Sequence, residues 1–318
     1  MSLWKGKKVL ITGGTGFIGS HLTKRLVAEG SEVTVFCSLQ LGYGHLKNLK
    51  EVSSQINFIR SDVRDFSSIT KAVKGVEIVF HLAALSHLPV CQDNPLQAFE
   101  VNYGGTLNVL EASRVGNVEQ VVFAGTDHIY GKAAHIPISE TQPYNADDAY
   151  GLSKAESIRL CDLYQQSYGL DTRVLVSGNV FGEFQDPSKV VPAFIKRALK
   201  NEPLYIKGGK QTRDFYYVEN LVDAYLLIAG GRGSPGVVLN VGGDDELSIR
   251  ALAKRVIGLT NSHSELKIVD YRYDDAPEVR LFLDKSKINQ LGYRTRIGFN
   301  EGLKRTAEWY KNEDSIVS

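Results

Sequence analysis

Through the first half of the chain, short runs rich in β-branched residues alternate with stretches whose apolar positions recur every three to four residues. The runs are Val9 to Thr12, Glu32 to Phe36, Ile56 to Ser61, Glu77 to Leu82, Val118 to Ala124 and Thr172 to Val176. Strand-length runs separated by helical periodicity read as repeated βαβ units. Such units cross over in a right-handed sense and bury both faces of a parallel sheet. The predicted fold is therefore α/β, a Rossmann doubly wound parallel sheet, with its ligand at the carboxyl ends of the strands.

After Ser177 the alternation breaks. A helical pattern covers Val190 to Leu199, Gly208-Gly209 marks a turn, and an amphipathic stretch runs from Asn300 to Asn312. These elements predict a smaller C-terminal α/β substrate domain over residues 178–318, beside a dinucleotide-binding domain over residues 1–177. Within 214–242, a helix over Val218 to Ile228 and a strand over Val237 to Val241 are expected to return to the main sheet. Two further helices are expected over Leu96 to Ser113 and Tyr150 to Tyr168.

The first strand runs directly into Gly13-Gly14-Thr15-Gly16-Phe17-Ile18-Gly19 and then into a helical pattern reaching Glu29. Each glycine has a reason: Gly13 for the tight turn, Gly16 for close approach of backbone to a pyrophosphate, Gly19 for packing of helix on strand. The helix N-terminus adds free amides and a partial positive charge. Set between strand and helix, the motif predicts dinucleotide binding. The Gly208-Gly209-Lys210 cluster lacks P-loop spacing and reads as an ordinary turn.

The second strand ends at Cys37 and Ser38, where many NAD-binding folds carry a carboxylate for the ribose. No arginine follows closely to take a 2′-phosphate, so NAD is the expected cofactor with NADP left open. Asp62, next to Val63 after the third strand, is a candidate adenine contact, with a helix-capping role as the alternative.

Composition narrows the class of partner. Hydrophobic content of 43%, charged content of 23% and a net charge of +1 describe an ordinary globular chain of 318 residues with no basic stripe for nucleic acid or membrane. Cys37, Cys91 and Cys161 are odd in number and widely spaced, fitting reduced thiols in a cytoplasm. The longest apolar runs, such as Val76 to Leu85, are too short to span a bilayer, and no targeting segment is visible. A small-molecule substrate is expected.

Tyr150-Gly151-Leu152-Ser153-Lys154 opens a helical pattern, which puts Tyr150 and Lys154 on one face a turn apart. An ammonium beside a phenol is expected to lower its pKa and make it a base for a hydroxyl proton.

With T-G-G-T-G-F-I-G at Thr12 to Gly19, His81-Leu82-Ala83-Ala84, Tyr130-Gly131 and Y-G-L-S-K in place, the sequence resembles the extended short-chain dehydrogenase/reductase family over essentially its whole length. Gly178-Asn179-Val180-Phe181-Gly182, Gln211-Thr212-Arg213-Asp214-Phe215 with Tyr217-Val218, and Leu239-Asn240-Val241-Gly242 continue the likeness. The resemblance implies an enzyme acting on nucleotide-activated sugars. Asn179 and Arg213 would then hold the diphosphate, and Thr126 the sugar hydroxyl being oxidised. Leu82, Ala83 and Ala84 would line the cofactor, and Ser86 and His87 the substrate.

Epimerases of this family carry small residues after the threonine, whereas its 4,6-dehydratases read Thr-Asp-Glu. This chain reads Thr126-Asp127-His128, so Asp127 implies dehydration, as acid for a departing C6 hydroxyl, and His128 departs from the pattern. An imidazole there could serve as a base or be structural. A second departure lies at Asp274-Asp275-Ala276-Pro277-Glu278, where the family shows R-P-G-D; Arg280 is the candidate replacement for the missing cation. The carboxylates lack the spaced partners of a metal site.

The expected activity is thus a nucleotide-sugar 4,6-dehydratase that oxidises C4 with tightly bound NAD(P). The alternatives are a 4-epimerase, an NADPH-dependent keto-sugar reductase, and a non-catalytic dinucleotide-binding protein. The family's helix pairing, matched by Leu96 to Ser113 and Tyr150 to Tyr168, implies a homodimer.

Overall fold

The computed structural model describes residues 2–39, 45–269 and 280–317. Strand β1 (Lys8–Thr12), β2 (Glu32–Cys37), β3 (Ile56–Arg60), β4 (Ile78–His81), β5 (Gln120–Thr126) and β6 (Asp171–Ser177) join Val238–Val241 in one seven-stranded sheet. Every ladder is parallel, and numbering by these labels the order is 3-2-1-4-5-6 with Val238–Val241 outside β6. That is the doubly wound order, with its reversal between β1 and β4. Val238–Val241 pairs Leu239 with Leu175, so the late segment does return to the sheet.

Parallel strands covered on both faces should be continuously apolar, and β1 is: Val9, Leu10 and Ile11 are all buried. Two clusters sandwich the sheet. Leu10, Val79, Val121 and Phe123 face one of them, and Val9, Ile11, Phe80 and Val122 the other. Helix α1 (Phe17–Ala28) packs Leu22 and Leu26, one turn apart, into the second cluster.

A third cluster gathers Phe181 and Phe215 with Phe194 and Ile195 of helix Val190–Leu199, Leu252 of helix Ile249–Thr260 and Tyr310 of helix Phe299–Val317. Short strand pairs such as Leu204–Lys207 with Leu266–Val269 support it. The acidic run 274–278 lies outside the described residues. Among the described residues no helix is long and apolar enough to cross a membrane.

The helix expected over Leu96 to Ser113 is not continuous. After the short helices α2 (Phe66–Ala72) and α3 (Leu88–Asp93), α4 (Pro95–Phe99) passes through a wide π turn at Glu100–Gly104 into α5 (Gly105–Val115). The wide turn lets Asn102 serve the neighbouring loop. Its side-chain Oδ1 accepts from the Leu85 amide at 2.7 Å, and its Nδ2 donates to Leu85 O at 3.1 Å and to Ser153 Oγ at 2.9 Å. Helix α6 (Ala149–Tyr168) follows the expected span closely.

Candidate active site

The chain leaves β1 at a glycine turn that other side chains could not enter. Gly13 has φ +73°, and a Cβ there would lie 2.8 Å from the Ala83 nitrogen. A Cβ on Gly19 would lie 2.2 Å from the Gly13 carbonyl oxygen. The turn is pinned from outside as well, since Asn48 Nδ2 donates to Thr15 O at 3.0 Å. Beneath it His81 is buried between two threonines, with Nδ1 2.6 Å from Thr12 Oγ1 and Nε2 3.0 Å from Thr106 Oγ1. Burial and the Lys154 charge push its pKa down to about 3, so it is a neutral hydrogen-bonding strut.

Above the carboxyl ends of the strands lies a cavity of about 650 Å³. It is lined by Gly13, Gly16, Phe17, Ile18 and Gly19, and by Cys37, Asp62, Val63 and Leu82 to Ala84. The Cys37 thiol accepts from the Thr15 hydroxyl at 3.0 Å. Both Asp62 carboxylate oxygens are taken by Arg64, at 2.9 and 3.0 Å, so this residue braces its own turn while bordering the cavity. Ser86, His87 and Asn179 line it as well.

The same cavity is lined by Thr126, Asp127, His128, Tyr150 and Lys154. β5 delivers Thr126 as its last residue, and α6 delivers Tyr150 and Lys154 from its first turns. The Thr126 hydroxyl donates to Asp127 Oδ1 at 3.3 Å and lies near enough to the Tyr150 phenol to lower its pKa against burial. The expected acidification of Tyr150 by Lys154 is not seen. Burial dominates and raises the phenol above its ordinary value. The ammonium instead lies over the Phe123 ring, 3.9 Å from its centroid, and burial lowers its pKa to about 7.

Asp127 is 3% exposed. Burial raises its pKa against the pull of His128 and Arg213, which favours a carboxyl that keeps its proton. Beneath it Asp214 is fully buried and also pushed up, by burial and by Asp127. Gly178 and Gly242 crowd that second carboxyl: a Cβ on either would lie 2.0 or 2.1 Å from one of its oxygens. Asp214 therefore sits where these two glycine segments close on it, leaving no room for a side chain at either.

Arg213 and Arg280 do not line the cavity. Arg213 is near enough for its charge to act on Asp127 and His128. Arg280 is exposed and engages Glu246 through two hydrogen bonds, of 2.6 and 2.5 Å, so the clamp expected of it is spent elsewhere.

Sequence reasoning missed Asp148, the N-cap of α6, whose Oδ1 accepts from the Gly151 amide at 2.7 Å. Its Oδ2 holds His128 Nδ1 at 2.8 Å. Lys189, just before the Val190–Leu199 helix, also lines the cavity, as do Trp309 and Tyr310 from the terminal helix. A lone lysine and an amphipathic helix carry no signal that would have singled them out.

A family model described as the NAD dependent epimerase/dehydratase family matches residues 9–242. The chain belongs to this family. A dTDP-D-glucose 4,6-dehydratase from Bos taurus is 35% identical over 317 residues, covering 96% of this chain and 89% of the relative. Among solved structures, a dTDP-glucose 4,6-dehydratase from Streptomyces venezuelae with NAD bound superposes at a TM-score of 0.91 and 31% identity, covering 97% of this chain and 98% of that one. A UDP-glucose 4-epimerase from Thermotoga maritima with UDP-glucose reaches 0.90 at 30% identity, covering 96% and 99%. The family thus spans both dehydration and epimerisation, and the arrangement after Thr126 bears on the choice.

Proposed function

We propose that the protein is an NAD-dependent nucleotide-sugar 4,6-dehydratase. The observation that carries this reading is Asp127, a buried carboxyl whose pKa burial raises, sharing one cavity with Thr126 and Tyr150. Epimerisation needs a hydride acceptor and a base for one hydroxyl, whereas loss of water needs an acid for the leaving oxygen as well.

The residues fit a dinucleotide, because side chains at Gly13 and Gly19 would fill the turn where a pyrophosphate approaches backbone. Gly13, Gly16 and the amides of Phe17 to Gly19 would hold it, with Cys37, Asp62 and Val63 on the adenosine side and Leu82 to Ala84 toward the ring. When bound, the oxidised nicotinamide supplies a hydride acceptor and a positive charge. Thr126 orients the sugar C4 hydroxyl, and Tyr150 takes its proton as Lys154 supports the phenolate. Ser86, His87, Asn179 and, through its charge, Arg213 would engage the nucleotide sugar. Asp127 protonates the C6 hydroxyl as it leaves.

Incubation with a panel of nucleotide hexoses, followed by mass spectrometry, tests this: loss of one water is the expected result. Unchanged mass with inversion at C4 would make the protein an epimerase, and stoichiometric consumption of reduced nicotinamide would make it a reductase. We further propose a homodimer joined through α5 and α6, which expose Leu107, Leu152 and Leu163; a monomer by light scattering would remove it. A cytoplasmic location agrees with three free cysteines.

A further inference from the structure

His128 occupies a well-defined setting. Its backbone is clamped by α6, where a Cβ on Gly151 would lie 2.6 Å from the His128 carbonyl oxygen. Its ring meets Tyr150 edge-on, with centroids 5.7 Å apart. Its Nδ1 lies 2.8 Å from Asp148 Oδ2.

Asp148 is held in turn. The Gly151 amide binds its other oxygen, and the start of α6 places a partial positive charge beside it. The His128 hydrogen bond and the backbone amides keep its pKa below the ordinary carboxylate range despite burial. An ionised carboxylate only accepts, so Nδ1 must carry the proton and neutral His128 has its lone pair on Nε2. Among the described residues no hydrogen bond reaches Nε2, and His128 borders the cavity.

We infer that Asp148 is a positioning residue, which fixes the His128 tautomer so that Nε2 is presented to the sugar as the acceptor of the C5 proton. The inference rests on the dehydratase reading above. Once C4 is a ketone, the C5–H bond breaks, its proton passes to Nε2 and its electron pair enters the enolate conjugated with the ketone. As that pair moves into the C5–C6 double bond, the C6–O bond breaks and the oxygen leaves as water with the Asp127 proton. His128 ends as an imidazolium and Asp127 as a carboxylate, so charge and atoms balance. The groups facing the imidazole are Asp148 and Tyr150 from α6, Asp127 from its own turn, and Arg213. Burial lowers its basicity, and the hydrogen bond and charge of Asp148 act in the opposite direction.

The test uses Asp148→Asn and His128→Asn holoenzymes. Asn caps a helix as well as Asp, so the first variant keeps α6 while losing the carboxylate charge. Deuterium uptake at C5 in heavy water and NMR titration of ¹³C-labelled histidines are followed. His128→Asn should cut C5 exchange by about 10²–10⁴-fold while reduced nicotinamide still forms on C4 oxidation. Asp148→Asn should cut exchange, lower the His128 pKa by about one to two pH units and move the alkaline-rising limb of the rate profile down with it. Exchange within twofold of wild type in both variants, or an unmoved His128 titration, overturns the inference while leaving the dehydratase reading intact. If wild type itself removes water from no nucleotide hexose, the dehydratase reading falls first.

Discussion

Replacing Lys154 by Met should make this protein more stable while abolishing its turnover. The lysine is 2% exposed, and burial brings its pKa from 10.5 to about 7. That gap of about 3.5, at about 1.4 kcal/mol per pH unit, corresponds to about 5 kcal/mol of strain at pH 6, where both folded and unfolded chains are protonated. The Phe123 ring under the ammonium returns roughly 1–2 kcal/mol, leaving a net cost of about 3 kcal/mol. Methionine keeps the unbranched stem and removes the charge.

The sign of the pH dependence follows. Folding releases the Lys154 proton between about pH 7 and 10.5, so wild-type stability should climb as pH rises through that window, and the variant should not climb. Thermal unfolding at pH 6 and pH 9 without added dinucleotide measures both. At about 2 °C per kcal/mol for a chain of this size, the variant should melt roughly 6 °C higher at pH 6. A variant that melts at or below wild type there, or a wild type indifferent to pH between 7 and 9, would refute the argument that the site stores strain in this residue. Saturating dinucleotide should narrow the gap by stabilising wild type more.

Gly19→Ala should abolish dinucleotide uptake in calorimetry and lower the melting temperature, because its methyl group would meet the Gly13 carbonyl oxygen at 2.2 Å. Tyr150→Phe should lose about 10²–10⁴-fold in turnover with dinucleotide affinity unchanged, since only a proton acceptor is removed. Arg280→Ala should leave KM and melting temperature where they are, because its partner is Glu246 and it is exposed; a clear rise in KM would restore its role as a diphosphate clamp.

Much of the architecture was legible because it depends on local periodicity. The strand runs and the glycine turn specify a parallel sheet and its crevice, and the register of β1 with β2 and β4 carries them there. The break at Glu100–Gly104 was not legible: the apolar period continues through it, and what opens the turn is Asn102 reaching a loop at Leu85 and a serine on α6. The 3₁₀ segment Leu46–Gln55, which supplies Asn48 to the phosphate turn, was likewise invisible to helix or strand periodicity. In the candidate site, spacing could gather Tyr150 and Lys154 but not the balance of burial against charge. Hence the phenol lies high and the ammonium low, the reverse of what proximity alone would give.

Asp148 shows why such a residue escapes a reading by motif. Two positions before a tyrosine, at the start of a helix, an aspartate is fully accounted for by capping, and the Gly151 amide does occupy one of its oxygens. A carboxylate has a second oxygen, however, and the cap fixes where that oxygen points. The same helix N-terminus that requires an acceptor also keeps it ionised, and an ionised acceptor dictates which nitrogen of His128 carries the proton. A helix-capping rule and an acid–base arrangement are thus met by one side chain, and the second use is visible only when the turn after β5 is brought against the first turn of α6.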